Sequence, residues 1–190
     1  MRLLSLLLIA SATLLAQNPP PITNTLRIKW AVTSTIGAPN LAGGLFSSGW
    51  GTAFNKPEEY GPHWSGFGKR YSMRLTGSAT SNALEASLGS LWGEDPRYPR
   101  LGSGSTFGAR LDHAWKFAFM ARNRRGNATP AYARYLAIPA GNFLSSSWRA
   151  DSETQVNDAV IRTGLGFAGR VTANLFAEFW PDLRRRPRRP

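Results

Sequence analysis

The segment Gly66-Phe67-Gly68-Lys69-Arg70-Tyr71, followed by Arg74, sets two glycines and three cations at the start of a helical pattern. A helix N-terminus carries unpaired N–H groups and the positive end of the helix dipole, so cations gathered there favour an anion. Lys69, Arg70 and Arg74, with Arg97 further along, are the candidate anion-binding residues. The competing reading is that the glycines open a helix and the cations lie on its solvent face. The spacing lacks the last glycine of a dinucleotide fingerprint, and no glycine-rich loop ends in Lys-Ser or Lys-Thr.

The densest polar cluster is Glu94-Asp95-Pro96-Arg97-Tyr98-Pro99-Arg100. Two carboxylates do acid–base work when their surroundings separate their pKa values. Neighbours at a helix end usually point apart, and the simpler reading is a helix stop whose arginines pair with the acids. His63 and the pair Asp112-His113 are the only histidine features. They lack His-x-x-x-His or His-Glu-x-x-His spacing, so no metal is assigned. There is no Gly-x-Ser-x-Gly nucleophile turn. No catalytic residue and no cofactor is assigned.

Charge and composition bound the setting. The chain has 190 residues, no cysteine and a net charge of +12. Five positive charges lie in Arg184-Arg185-Arg186-Pro187-Arg188-Arg189 and one is Arg2, which leaves +6 on the body. Nineteen of the 23 basic residues are arginine, a bias that GC-rich coding explains first. A basic surface is also drawn to anionic phospholipid or lipopolysaccharide. At the front, one arginine, the apolar run from Leu3 to Ala10 and the small residue Ala16 follow the plan of a secretory signal peptide. The expected cut follows Ala16, with Ala12 as the alternative. Export makes nucleic acid a poor partner. Without cysteine, the mature chain must hold together through its core alone.

These residues need elements to position them. Residues 17–25 are a Pro/Asn/Thr linker that separates the signal from a single domain at 26–183. Residues 26–50 read as helical with a break near Pro39. Gly66 to Trp92 forms one long helix with Met73, Gly77, Thr80, Leu84, Leu88 and Leu91 on a stripe. A helix from Thr106 to Arg122 follows, and Thr129-Pro130 opens the next, which Pro139 interrupts. The last helix starts at a capping box from Ser152 to Gln155, carries two apolar ridges, and stops at Pro181. The ridges are Val156, Val160, Phe167, Val171, Leu175 and Phe179, and Ile161, Leu165, Ala168, Thr172 and Phe176. The expected fold is all-α, a compact bundle of about five helices after a cleaved signal peptide, with a disordered basic tail at 184–190. Small residues on the helices suit a close helix–helix partner. Burial accounts first for the seven tryptophans, and a membrane-interface belt second.

Gly-x-Gly-Lys-Arg-Tyr at 66–71, Glu-Asp-Pro-Arg-Tyr at 94–98 and Glu-Phe-Trp-Pro-Asp-Leu at 178–183 form a distinctive set. In order and spacing the chain resembles, over residues 26–183, an uncharacterised family of exported proteins from soil-type acidobacteria. The resemblance implies a predominantly helical, exported protein and carries no activity. Members of that family have histidine before the acidic pair, where this chain has Gly93, which weakens metal or acid–base chemistry there. The resulting expectation is a non-enzymatic protein of the periplasm or outer envelope that touches anionic surfaces or an envelope partner. The alternative is a hydrolase or binding protein for a phosphate-bearing envelope molecule, using Lys69, Arg70, Arg74, Glu94 and Asp95 in one pocket.

Overall fold

The computed structural model describes residues 21–184. The signal peptide with its cut, residues 17–20 of the linker and residues 185–190 of the tail lie outside the described residues. Six α-helices run in the order α1 (Asn24–Ile36), α2 (Ala38–Ala53), α3 (Trp64–Trp92), α4 (Phe107–Phe119), α5 (Tyr132–Ser145) and α6 (Val156–Arg184). A two-stranded hairpin, β1 (Met120–Arg122) and β2 (Ala128–Pro130), lies between α4 and α5. Its register pairs Ala121 with Thr129. The architecture is a helical bundle. The central helix α3 packs on α1, α2 and α5, and α6 packs on α4 and α5.

Local chemistry explains most boundaries. Thr23 caps α1 and Thr106 caps α4, each accepting from the N–H three residues on. The break in residues 26–50 falls at Gly37, just before Pro39, so this segment makes two helices. A Cβ at Gly37 would stand 2.3 Å from the Thr33 carbonyl oxygen, which only glycine avoids. Gly93 ends α3 in the left-handed conformation at φ 82°, donating its N–H to the Gly89 carbonyl.

Three boundaries differ from the sequence reading. Residues 120–122 leave the helix and pair with Ala128–Pro130, so Thr129-Pro130 closes a hairpin and does not open α5. The hairpin turn is held by the Asn123 side chain, which accepts from the N–H groups of Arg125 and Asn127. The Ser152 capping box does not form, because Asp151–Glu153 is a 3-10 turn and α6 begins at Val156. Finally, α6 continues through Pro181 to Arg184. Asp182 on this extension is held by Arg100 and Arg110, which offsets the proline's missing donor.

The larger difference is in what the helices bury. The buried apolar residues are eight alanines with Trp30 and Ile138. Large apolar side chains point outward on every helix: Ile28 and Val32, Phe46 and Trp50, Trp64 and Leu91, Phe107 and Trp115, Leu136 and Leu144, Val160 and Leu165. Phe46 is 74% exposed and Trp64 is 84% exposed. Of the stripe expected to face inward from α3, only Gly77 is buried. On α6, the expected core residues Val156, Val160, Ile161 and Leu165 are exposed. The residues facing in are rows at steps of four: Gly66, Arg70, Arg74, Ser78 and Asn82 on α3, and Arg162, Gly166, Arg170, Asn174 and Glu178 on α6. Rows at this step form the ridges that interlock between helices. Here those ridges are small or polar.

Candidate functional site

Because the inward rows carry charge, the interior is organised by ion pairs. Glu85, on α3 and 2% exposed, accepts from Arg134 Nε on α5 at 2.9 Å and also pairs with Arg170 on α6. All three helices thus meet on one carboxylate, and Arg134 also donates to the carbonyls of Phe117, Ala118, Met120 and Pro96. Arg170 also lies over the Trp30 ring at 5.1 Å. Burial pulls the Arg170 pKa down to about 10, with Glu85 opposing that fall.

A second network surrounds Glu178, which is fully buried. Its carboxylate accepts from Arg110 Nε at 2.8 Å, the Tyr98 hydroxyl at 2.8 Å, and the N–H groups of Leu101 and Gly102 at 2.9 and 2.8 Å. Desolvation raises its pKa, but these four donors favour the anion and together bring it down to about 2. The Tyr98 hydroxyl moves up through burial first and then through its bond to the carboxylate. Arg100 and Arg110 both pair with Asp182 and donate to the Glu178 carbonyl.

The acidic cluster at 94–100 is built into this framework. Glu94 Oε1 accepts from Tyr132 N–H and Trp92 Nε1, and Oε2 from Ala133 N–H. It thereby caps α5, whose own N-cap residue Ala131 has no side chain for the task. Asp95 is gripped by Arg97, whose Nη2 reaches it at 2.6 Å. His113 donates through Nε2 to the Pro99 carbonyl at 2.8 Å. No three of His, Asp and Glu gather as a metal set among the described residues.

The other half of the bundle is different. Between the α1–α2 kink, α3, α5 and α6 lies a cavity of 620 Å³. Its wall includes Lys56, Arg70, Arg74, Arg149, Arg162 and Arg170 against one carboxylate, Glu153. Hydroxyls, amides and glycines complete much of the wall, among them Ser48, Asn40, Ser78, Asn82 and Gly166. Residues 30–55, which form two of its sides, carry no charged side chain.

The four candidate anion ligands separate. Lys69 is exposed and outside the cavity wall. Arg70 is buried, but its donors hold the carbonyls of Lys56, Pro57 and Gly61, pinning the loop between α2 and α3. Arg74 stands on the wall, with its bonds to Asn40 both leaving from Nη1. Arg97 belongs with Asp95, more than twenty residues along α3 and its end, or about 30 Å at 1.5 Å per residue. Lys69, Arg70, Arg74, Glu94 and Asp95 thus do not form one pocket. Arg149 and Arg162, which sequence reading passed over, stand on the cavity wall with Arg74. Arg149 reaches Glu153 at 3.2 Å, and Arg162 donates to the Glu153 carbonyl at 2.9 Å and Ser146 Oγ at 2.7 Å. The sequence signal for Arg162 is the row of four-residue steps it shares with Arg170 and Glu178 in an otherwise apolar helix.

No family model, curated protein or solved structure matches the chain.

Proposed function

We propose that this is a non-enzymatic protein of the cell envelope whose apolar outer faces seat against anionic lipid. One observation carries the reading: the interior is built of alanine and ion pairs, and the large apolar side chains lie outside on every described helix. Water drives large apolar side chains inward, and single exposed ones need no explanation. Exposure of such side chains on all six helices does. A protein partner covers one patch, whereas acyl chains and headgroups cover many faces together. Among exposed described residues, Lys29, Lys56, Lys69, Arg100, Lys116, Arg124, Arg125 and Arg184 outnumber Glu58, Glu59, Asp112 and Asp151. That excess favours anionic headgroups.

No helix among the described residues is long and apolar enough to cross a membrane. The proposal concerns the outward faces, since the charges of α3 and α6 other than Lys69 and Arg184 are buried or partly buried. The interior acids Glu85, Glu94 and Glu178 hold arginines and backbone N–H groups in place, which supports binding over catalysis. The export pattern in the sequence and the resemblance to exported proteins support an envelope setting.

Flotation of the full chain, freed of detergent in the presence of vesicles, tests this. Vesicles containing phosphatidylglycerol are expected to carry the protein upward, and phosphatidylcholine vesicles to carry several-fold less at low salt. A homogeneous oligomer that stays at the bottom with both lipids overturns the reading, because a second copy then covers the apolar faces.

A further inference from the structure

The cavity wall gathers arginines that the networks around Glu85 and Glu178 do not neutralise. In the networks around Glu85 and Glu178, each arginine meets a carboxylate. Among the described residues, Arg74 and Arg162 meet none. Both are partly buried, and burial is the main cause that lowers their pKa. For Arg162, nearby Arg149 adds to the fall, while Glu153 and Asp158, not paired with it directly, oppose it. A cation drawn out of water without a directly paired carboxylate is costly.

Two further groups on the same wall lack partners. Arg162 Nε is buried and donates to nothing. Ser48 is 2% exposed, lines the cavity, and its hydroxyl has no hydrogen-bond partner. Buried polar groups are normally satisfied, so orphans beside an open volume mark where a ligand atom belongs. The volume of 620 Å³ falls within the range of small-molecule sites, roughly 300–1,000 Å³. It exceeds what a lone inorganic ion fills.

We infer that this cavity binds a phosphate ester carried on a small hydroxylated body, with Arg74 and Arg162 as the guanidinium donors and Ser48 on the body. Guanidinium suits phosphate because its planar N–H groups match two phosphate oxygens at once. Arg149 adds charge beside Arg162 and is half-committed to Glu153 at 3.2 Å. Ser78 and Asn82, on the α3 row with Arg74, offer hydroxyl and amide groups to the ester's body. Two sources share this chemistry, a soluble phosphate ester and the headgroup of a phospholipid.

Calorimetry on the full chain in a neutral detergent tests the inference with three probes: inorganic phosphate, glycerol phosphate and short-chain phosphatidylglycerol. Saturable binding of glycerol phosphate, tighter than inorganic phosphate, is expected. R74Q and R162Q should each weaken it tenfold or more, R162K less, and R97Q not at all. Circular dichroism confirms that each variant is folded. Binding of the lipid but not glycerol phosphate, lost in the same variants, supports the headgroup source. No saturable binding of any probe, or equal affinity in R74Q, R162Q and R97Q, overturns the site. Vesicle flotation of R162Q separates this result from the lipid-seating proposal, which predicts no loss of flotation in that variant.

Discussion

Arginine does opposite work in the two halves of this bundle. Around Glu85 and Glu178 it is neutralised, and its remaining donors tie helix ends and loops together. Around the cavity, Arg74 and Arg162 line a polar volume without a carboxylate paired to either among the described residues. The same inward-facing rows produce both regions, since α6 contributes Arg162 to one and Glu178 to the other. What differs is whether an acid stands opposite. A buried charge with its partner anchors structure, whereas Arg74 and Arg162, without one, face the open cavity.

The sharpest way to break this comparison is to remove an acid from the neutralised half. Glu85→Gln leaves Arg134 and Arg170 without their carboxylate and is expected to destabilise the fold by about 3–5 kcal/mol. Urea unfolding followed by circular dichroism measures it. A loss below about 1 kcal/mol would mean that the two halves do not differ in kind.

Glu178 gives the pH counterpart. Its folded pKa of about 2 lies below the ordinary 4.5, so its contribution is present above pH 4.5. Stability should fall as pH drops through 4.5 towards 2. Glu178→Gln, costing about 3 kcal/mol at neutral pH, should flatten that slope. An equally steep acid limb in the variant would assign it to other groups.

Packing between the halves is tested next. A Cβ at Gly141 would lie 2.2 Å from Ser81 Oγ and 3.0 Å from Ser81 Cα, where α5 meets α3. Gly141→Ala should cost about 1–3 kcal/mol through overpacking. Gly68→Ala, with nothing within 4 Å, should instead gain about 0.5–1 kcal/mol. Thermal unfolding of the two variants should therefore move in opposite directions.

The smallest effect belongs to the cavity. Arg74→Gln and Arg162→Gln leave no carboxylate unpaired and remove an uncompensated cation. Each should change stability by less than about 1 kcal/mol in either direction. A loss as large as that of Glu85→Gln would make the cavity arginines structural and remove the contrast.

Much of the fold was legible because its signals are local. Thr23 and Thr106 cap the helices they precede, Gly93 stops α3, and Gly37 with Pro39 divides the first helical segment. The hairpin was not, since Thr129-Pro130 carries a helix-start pattern and pairs with residues 120–122 only through the Asn123 turn. Glu94 as the cap of α5 was hidden for a similar reason. It lies 38 residues before the N–H group it accepts from. Of the candidate ligands, Arg70 and Arg74 reached the cavity wall, Arg70 with its donors spent on loop carbonyls, while Lys69 and Arg97 lie elsewhere.

Chain chemistry alone determined the helical class, the element order and the abundance of arginine, because caps, prolines and four-residue rows act within a turn or two. Which face of each helix turns inward was decided only by tertiary packing. Apolar ridges face the core when water is the surroundings, and that assumption placed Val160 and Leu165 inside. Here alanine and glycine let the helices approach closely, Glu85 and Glu178 draw the arginines in, and the large apolar side chains are left outside. Whether an arginine of the buried networks met an acid then depended on residues 49 or more positions away, a distance over which sequence patterns carry no signal.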